Sequence, residues 1–93
     1  MASRTRETRK MKVKLKLYAT LGKYLPAGAR RNEIMLDVAE QTSVGDLLGA
    51  HNVPMASCHL ILINGVYSAP ANASAAALTD GDTVAVWPPV AGG

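Results

Sequence analysis

The residues best suited to chemistry stand at the end of the 93-residue chain: Trp87-Pro88-Pro89-Val90-Ala91-Gly92-Gly93. At average glycine usage of about 7%, a terminal Gly-Gly arises by chance in roughly 0.5% of chains. Pro88 and Pro89 favour an extended exit from whatever precedes them. The stretch after Trp87 would reach on the order of 20 Å. Gly92 and Gly93 lack a Cβ and can enter a channel too narrow for any other residue. What they deliver is a free carboxylate. The pattern describes a substrate arm for another protein's active site. Gly93 carries that carboxyl, and Gly92 leaves its approach unhindered.

Other reactive side chains are few. Cys58, the single cysteine, excludes an internal disulfide and fits a reducing compartment. A thiolate there would be a nucleophile able to hold a persulfide. Yet Cys58 opens an apolar stretch with no Lys or Arg beside it, so it is expected as a small core residue. His51 and His59 are expected at a helix end and a strand surface. With Cys58 they fall short of the four N or S donors of a structural zinc site, so no metal is expected. Asp80 and Asp82 flank Gly81, which points to turn chemistry and away from a paired acid and base. No nucleophile–base pair is visible. The chain is expected to act as a cosubstrate or subunit, with no bound cofactor.

These residues need a scaffold. Met11, Val13, Leu15 and Leu17 alternate with Lys12, Lys14, Lys16 and Tyr18, the period of a half-buried strand. The lysines would face water and deter foreign strands. Ala19–Leu25 suits a helical turn that Pro26-Ala27-Gly28 ends, and Glu33–Val38 a second strand. Ser43 with Asp46 forms a capping-box signature for a helix carrying Val44, Leu47 and Leu48. Gly45 and Gly49 should weaken that helix by roughly 1 kcal/mol each relative to Ala. His59–Ile63 is unbroken and apolar, as in a strand covered on both faces. Asn64-Gly65 marks a hairpin returning through Val66–Ser68. Pro70–Ala77 is a loop or weak helical turn, with Leu78 as an anchor. Thr83–Trp87 is the last strand, stopped by Pro88-Pro89. One helix crossing one mixed sheet is an α+β arrangement.

Residues 1–31 hold all ten Lys and Arg and a single acid, Glu7; residues 32–93 hold six acids and no Lys or Arg. Such a basic third can be a nucleic-acid footprint. Without interleaved aromatics it is better taken as a solvated strand face plus an arm, so a nucleic-acid partner is not expected. Residues 1–10, apolar only at Met1 and Ala2, are expected to be a flexible basic arm. Residues 11–87 form the domain and 88–93 the tail. With no apolar run near the ~18 residues of a membrane span and no signal-peptide core, the expected location is the cytoplasm, away from membranes.

The chain resembles the MoaD/ThiS family of ubiquitin-like sulfur carriers, and most closely the small subunit of molybdopterin synthase. The resemblance is carried by Leu17–Leu21 (LYATL), Ser43–Leu48 (SVGDLL), Ile63–Gly65 (ING), Asp80–Asp82 (DGD) and Pro88–Gly93 (PPVAGG), across residues 11–93. It implies a β-grasp fold. It also implies an E1-like adenylyltransferase that uses ATP to activate Gly93, and a sulfur donor of the cysteine desulfurase or rhodanese type. A large catalytic subunit of the molybdopterin synthase kind would then take sulfur from the Gly93 thiocarboxylate for a pterin precursor. The resemblance makes Trp87, Pro88, Pro89, Val90 and Ala91 the expected partner-binding tail, with Gly92 letting it thread. Trp87 stands where Phe or another apolar residue is expected, and Ala69–Ala77 lacks the expected charged helix. Carriers for thiamin thiazole or other thiolation pathways, and modifiers that form an isopeptide through Gly93, share the same tail.

Overall fold

The computed structural model describes residues 10–89. Its first strand, β1 (Lys10–Leu17), starts one residue before the alternation suggests, so Lys10 belongs to the sheet and not to the arm. Met11, Val13, Leu15 and Leu17 are buried, as their period requires. A six-residue 3₁₀ turn, Ala19–Tyr24, leads to β2 (Glu33–Ala39), which pairs antiparallel with β1. β3 (Leu60–Ile63) and β4 (Val66–Ser68) form the expected hairpin, with Asn64 and Gly65 at φ 53° and 83°. β5 (Thr83–Trp87) runs parallel to β1 and antiparallel to β3. The sheet order is β2-β1-β5-β3-β4. β1 is thus flanked on both sides, and its lysines do not guard an edge.

One face of this sheet is covered. The helix α1 (Val44–Ala50) supplies Val44, Leu47 and Leu48 to a core shared with Val13, Leu15, Leu17, Ile61, Val84 and Val86. Burying each such aliphatic contributes about 2 kcal/mol. The capping box is complete: Asp46 N–H donates to Ser43 Oγ at 3.0 Å, and Ser43 N–H to Asp46 Oδ2 at 3.2 Å. Two more N-terminal donors of α1 are satisfied from outside, Val44 N–H by Ala76 O and Gly45 N–H by Ser74 O, each at 3.0 Å. These bonds pull the short helix α2 (Pro70–Ala73) and the segment after it onto α1. A Cβ on Gly45 would lie 2.7 Å from Ser74 O. Gly45 is therefore required by a close approach, whereas Gly49 faces open space.

The Asp80-Gly81-Asp82 turn behaves as its composition predicts. Thr79 donates to the Asp82 carboxylate through its N–H (2.8 Å) and hydroxyl (3.0 Å), and Asn64 Nδ2 donates at 2.9 Å. These bonds, led by that from Asn64, hold the Asp82 carboxyl below the usual carboxylate range.

Candidate partner-docking surface

Because α1 and α2 cover one face, the other face carries no helix among the described residues, and its side chains follow from register. Lys16 is level with Ala85, Ala85 with Leu62, and Leu62 with Tyr67. In the next row Trp87 is level with Leu60. The β5–β3–β4 half of this face is consequently apolar, and the β1–β2 half is charged. Leu60, Leu62 and Trp87 are half-buried and Tyr67 is 59% exposed. The expectation that His59–Ile63 is covered on both faces is corrected here: among the described residues one layer of helix exists, and none of their elements covers Leu60 and Leu62. Ile61 alone in that strand is fully buried.

Trp87 is held firmly. Its ring stacks on Tyr18, with centroids 4.4 Å apart and planes 7° from parallel. Its carbonyl accepts from His59 N–H at 2.9 Å, while Tyr18 N–H donates to Val86 O at 3.1 Å. Tyr18 reaches this position because the chain turns sharply at Ala19, whose φ of 53° is the left-handed region. Beyond Trp87 the ladder ends, and Pro88 and Pro89 leave along a groove of about 430 Å³ walled by Ala19, Thr20, His59 and Leu60. Of the tail residues singled out above, Trp87, Pro88 and Pro89 line this groove. Val90, Ala91, Gly92 and Gly93 lie outside the described residues.

The charged half is partly self-neutralised. Lys12 Nζ pairs with Asp37 Oδ1 at 2.8 Å, which raises the Lys12 pKa and lowers that of Asp37. Lys14 and Lys16 each approach Glu33 at 3.7 Å. The Lys12–Asp37 pair is exposed and the two Glu33 pairs partly so, and all three contribute little to stability. Cys58 is buried, its Sγ 3.5 Å from Pro54 O, and burial pushes the thiol pKa up. That environment suits a packed side chain and not a reactive thiolate. His51 caps the C-terminus of α1, and His59 is exposed at the groove. Among the described residues no three His, Cys, Asp or Glu side chains converge to hold a metal. No helix among them is long and apolar enough to cross a membrane.

Missing from the sequence reading were Leu60, Leu62 and Tyr67 as surface, whereas Tyr18 continues the outward period of the lysines. The available signal was the unbroken run Leu60–Ile63 in a chain with a single main helix: one face of that strand had to remain unpartnered.

A five-stranded mixed sheet grasping one helix, with an aromatic and two prolines at the exit of the last strand, defines a ubiquitin-like β-grasp protein of the MoaD/ThiS kind. The sequence profile of the Mut7-C ubiquitin family matches residues 10–92, and the chain belongs to that family. Among solved structures it is similar to the HVO 2177 protein of Haloferax volcanii (30% identity over 90% of this chain and 88% of that one, TM-score 0.68). It is similar to SAMP1 from the same organism (30% identity, 88% and 99% covered, TM-score 0.60). It also matches a Pyrococcus furiosus protein described as a candidate molybdopterin converting factor, subunit 1 (26% identity, 86% and 99% covered, TM-score 0.59). No curated protein sequence matches the chain.

Proposed function

We propose that this chain is a sulfur carrier whose Gly93 carboxylate is activated by an E1-like adenylyltransferase and converted to a thiocarboxylate. A carboxylate oxygen attacks the α-phosphorus of ATP, and pyrophosphate leaves. The sulfane sulfur of a donor persulfide then displaces AMP from the acyl carbon, giving an acyl disulfide. A second thiol cleaves it, releasing the thiocarboxylate and a disulfide between the donor's thiol and the second thiol. The receiving protein is a large catalytic subunit of the molybdopterin synthase type, which passes the sulfur to a pterin precursor. The observation that supports this reading best is the apolar outer face of β3 and β5, which runs through Trp87 directly into Pro88-Pro89. A flat patch with an aromatic anchor is what a partner needs to hold the domain while its tail enters a catalytic channel. The adenylyltransferase is its first occupant.

The likeness to SAMP1, a small archaeal modifier protein, favours a second reading, in which the activated Gly93 acylates a lysine. Both readings share the adenylation step and separate after it. The test is intact mass after incubation with an E1-like enzyme, ATP and a persulfide donor. Replacement of one C-terminal oxygen by sulfur supports the carrier. An adduct on a second protein that survives denaturant and thiol supports the modifier, and an unchanged C-terminus removes both.

A further inference from the structure

The parallel pairing of β1 with β5 brings the ends of both strands to the place where the tail leaves, with Leu17 level with Val86. The turn from Arg30 to Glu33 sits at that same end, because Leu17 N–H donates to Asn32 O at 2.9 Å and Asn32 Nδ2 donates to Leu17 O at 3.1 Å. The 3₁₀ turn carrying Lys23 packs there too, with Gly22 against Asn32 and Leu17. Lys16, Lys23, Arg30 and Arg31 therefore stand at the end of the sheet where the tail leaves, and among the described residues Glu33 is the carboxylate beside them. The carboxylates of Glu40, Asp80 and Asp82 lie toward the other end of the sheet, beside Lys10 and the start of β5. Arg31 is the least expected of the four. It holds φ 52° at the first central position of a two-residue turn, followed by Asn32 at 68°. Asn or Gly is favoured there. A long cation kept at an unfavourable backbone position on an exposed tip points to use.

Resting on the reading that the tail is delivered into another protein, we infer that Lys16, Lys23, Arg30 and Arg31 form a basic collar that recognises a carboxylate-rich rim around the opening that receives the tail. An apolar centre (Leu60, Leu62, Trp87) bordered by charge has the anatomy of a protein–protein interface. Nucleic acid fits less well, since it would need cations spread along a track. The collar acts on encounter: complementary charge raises association rates by about 10-fold or more and is screened beyond about 8–10 Å at physiological salt.

The test compares full-length Arg30→Glu/Arg31→Glu with Arg4→Glu/Arg6→Glu, which carries the same change in net charge. The readout is pyrophosphate release by an E1-like adenylyltransferase over a range of salt, with melting curves to show both variants folded. The collar variant is expected to lose about 10-fold in kcat/KM at low salt with kcat unchanged, and to converge with the parent at about 0.5 M salt. Equal losses in both doubles, or none in either, overturn the collar while leaving the carrier reading intact. Binding of an oligonucleotide at physiological salt that requires Arg30 and Arg31, with activation untouched, also overturns it. No pyrophosphate release from the parent removes the carrier reading and the collar together.

Discussion

The indole of Trp87 lies flat on the ring of Tyr18, 4.4 Å between centroids, at the last ladder position before the tail. The stack joins the end of β1 to the end of β5 and sets the floor of the open face. Tyr18→Ala and Trp87→Ala should each lose about 1 kcal/mol from the stack itself, in addition to the apolar area each ring buries, while the fold persists. Affinity for the activating enzyme should fall more for Trp87→Ala, by about 2 kcal/mol or more, because the ring anchors the centre of the patch. Thermal unfolding and a binding isotherm on each variant check this. Equal and small affinity losses would place the contact elsewhere.

The glycines of α1 should respond with opposite signs. Gly49→Ala meets open space and should stabilise by about 0.5–1 kcal/mol, the ordinary helix-propensity gain. Gly45→Ala should destabilise despite the same gain. Its Cβ would stand 2.7 Å from Ser74 O, so the segment after α2 must move and the Gly45 N–H bond to Ser74 O must lengthen. Denaturant midpoints of the two variants decide it. A stabilising Gly45→Ala would show that this contact yields freely.

Asp82 ties three donors from two loops, so Asp82→Ala should cost about 1 kcal/mol as water replaces its bonds in the exposed turn before β5. Its carboxyl is held below the ordinary 3.8. Between the two values the unfolded chain binds more protons than the folded one, so this contribution is complete above 3.8 and fades as the pH falls through the folded value. The parent should lose stability on acidification below that point more steeply than Asp82→Ala, as followed by melting at stepped pH.

Much of this was legible before any coordinates. Period-two lysines exposed β1, Asn64-Gly65 the hairpin, and Ser43 with Asp46 the start of α1, because each is a local rule whose physics acts within a few residues. Two things were not. Gly45 looked like a propensity defect, since its reason is Ser74, 29 positions away in the chain. The run Leu60–Ile63 looked doubly buried, since apolarity records that a face is covered at some time, not whether by this chain or by a partner.

Cys58 illustrates chemistry that burial withdraws. Its thiol is pushed above the ordinary 9.0 by desolvation. Above 9.0 the unfolded chain gives up this proton before the folded one does, so the contribution is present below that value and lost as the pH rises through the folded value. Cys58→Ala should keep sulfur acquisition intact, cost about 1 kcal/mol from a shortened core side chain, and lessen the alkaline loss of stability. A folded Cys58→Ala protein that no longer acquires sulfur would make Cys58 the acceptor and demote Gly93.

The tail gives the sharpest outcome. Pro88 and Pro89 follow the last ladder bond, His59 N–H to Trp87 O, so changes at Gly92 and Gly93 come after every sheet hydrogen bond of β5. Deleting Gly93, or extending the chain past it, should shift stability by no more than about 0.5 kcal/mol, as surface changes usually do. Either change should abolish thiocarboxylate formation, or the onward transfer if a displaced carboxylate is still activated. Gly92→Val should fold as well as the parent yet fail in the same assay, since a branched Cβ meets the wall of a channel shaped for glycine. Melting temperature and C-terminal mass, measured on the same samples, separate loss of fold from loss of delivery. Full sulfur transfer by a truncated protein at the parent rate would leave Gly93 without a role and remove the carrier assignment that depends on it.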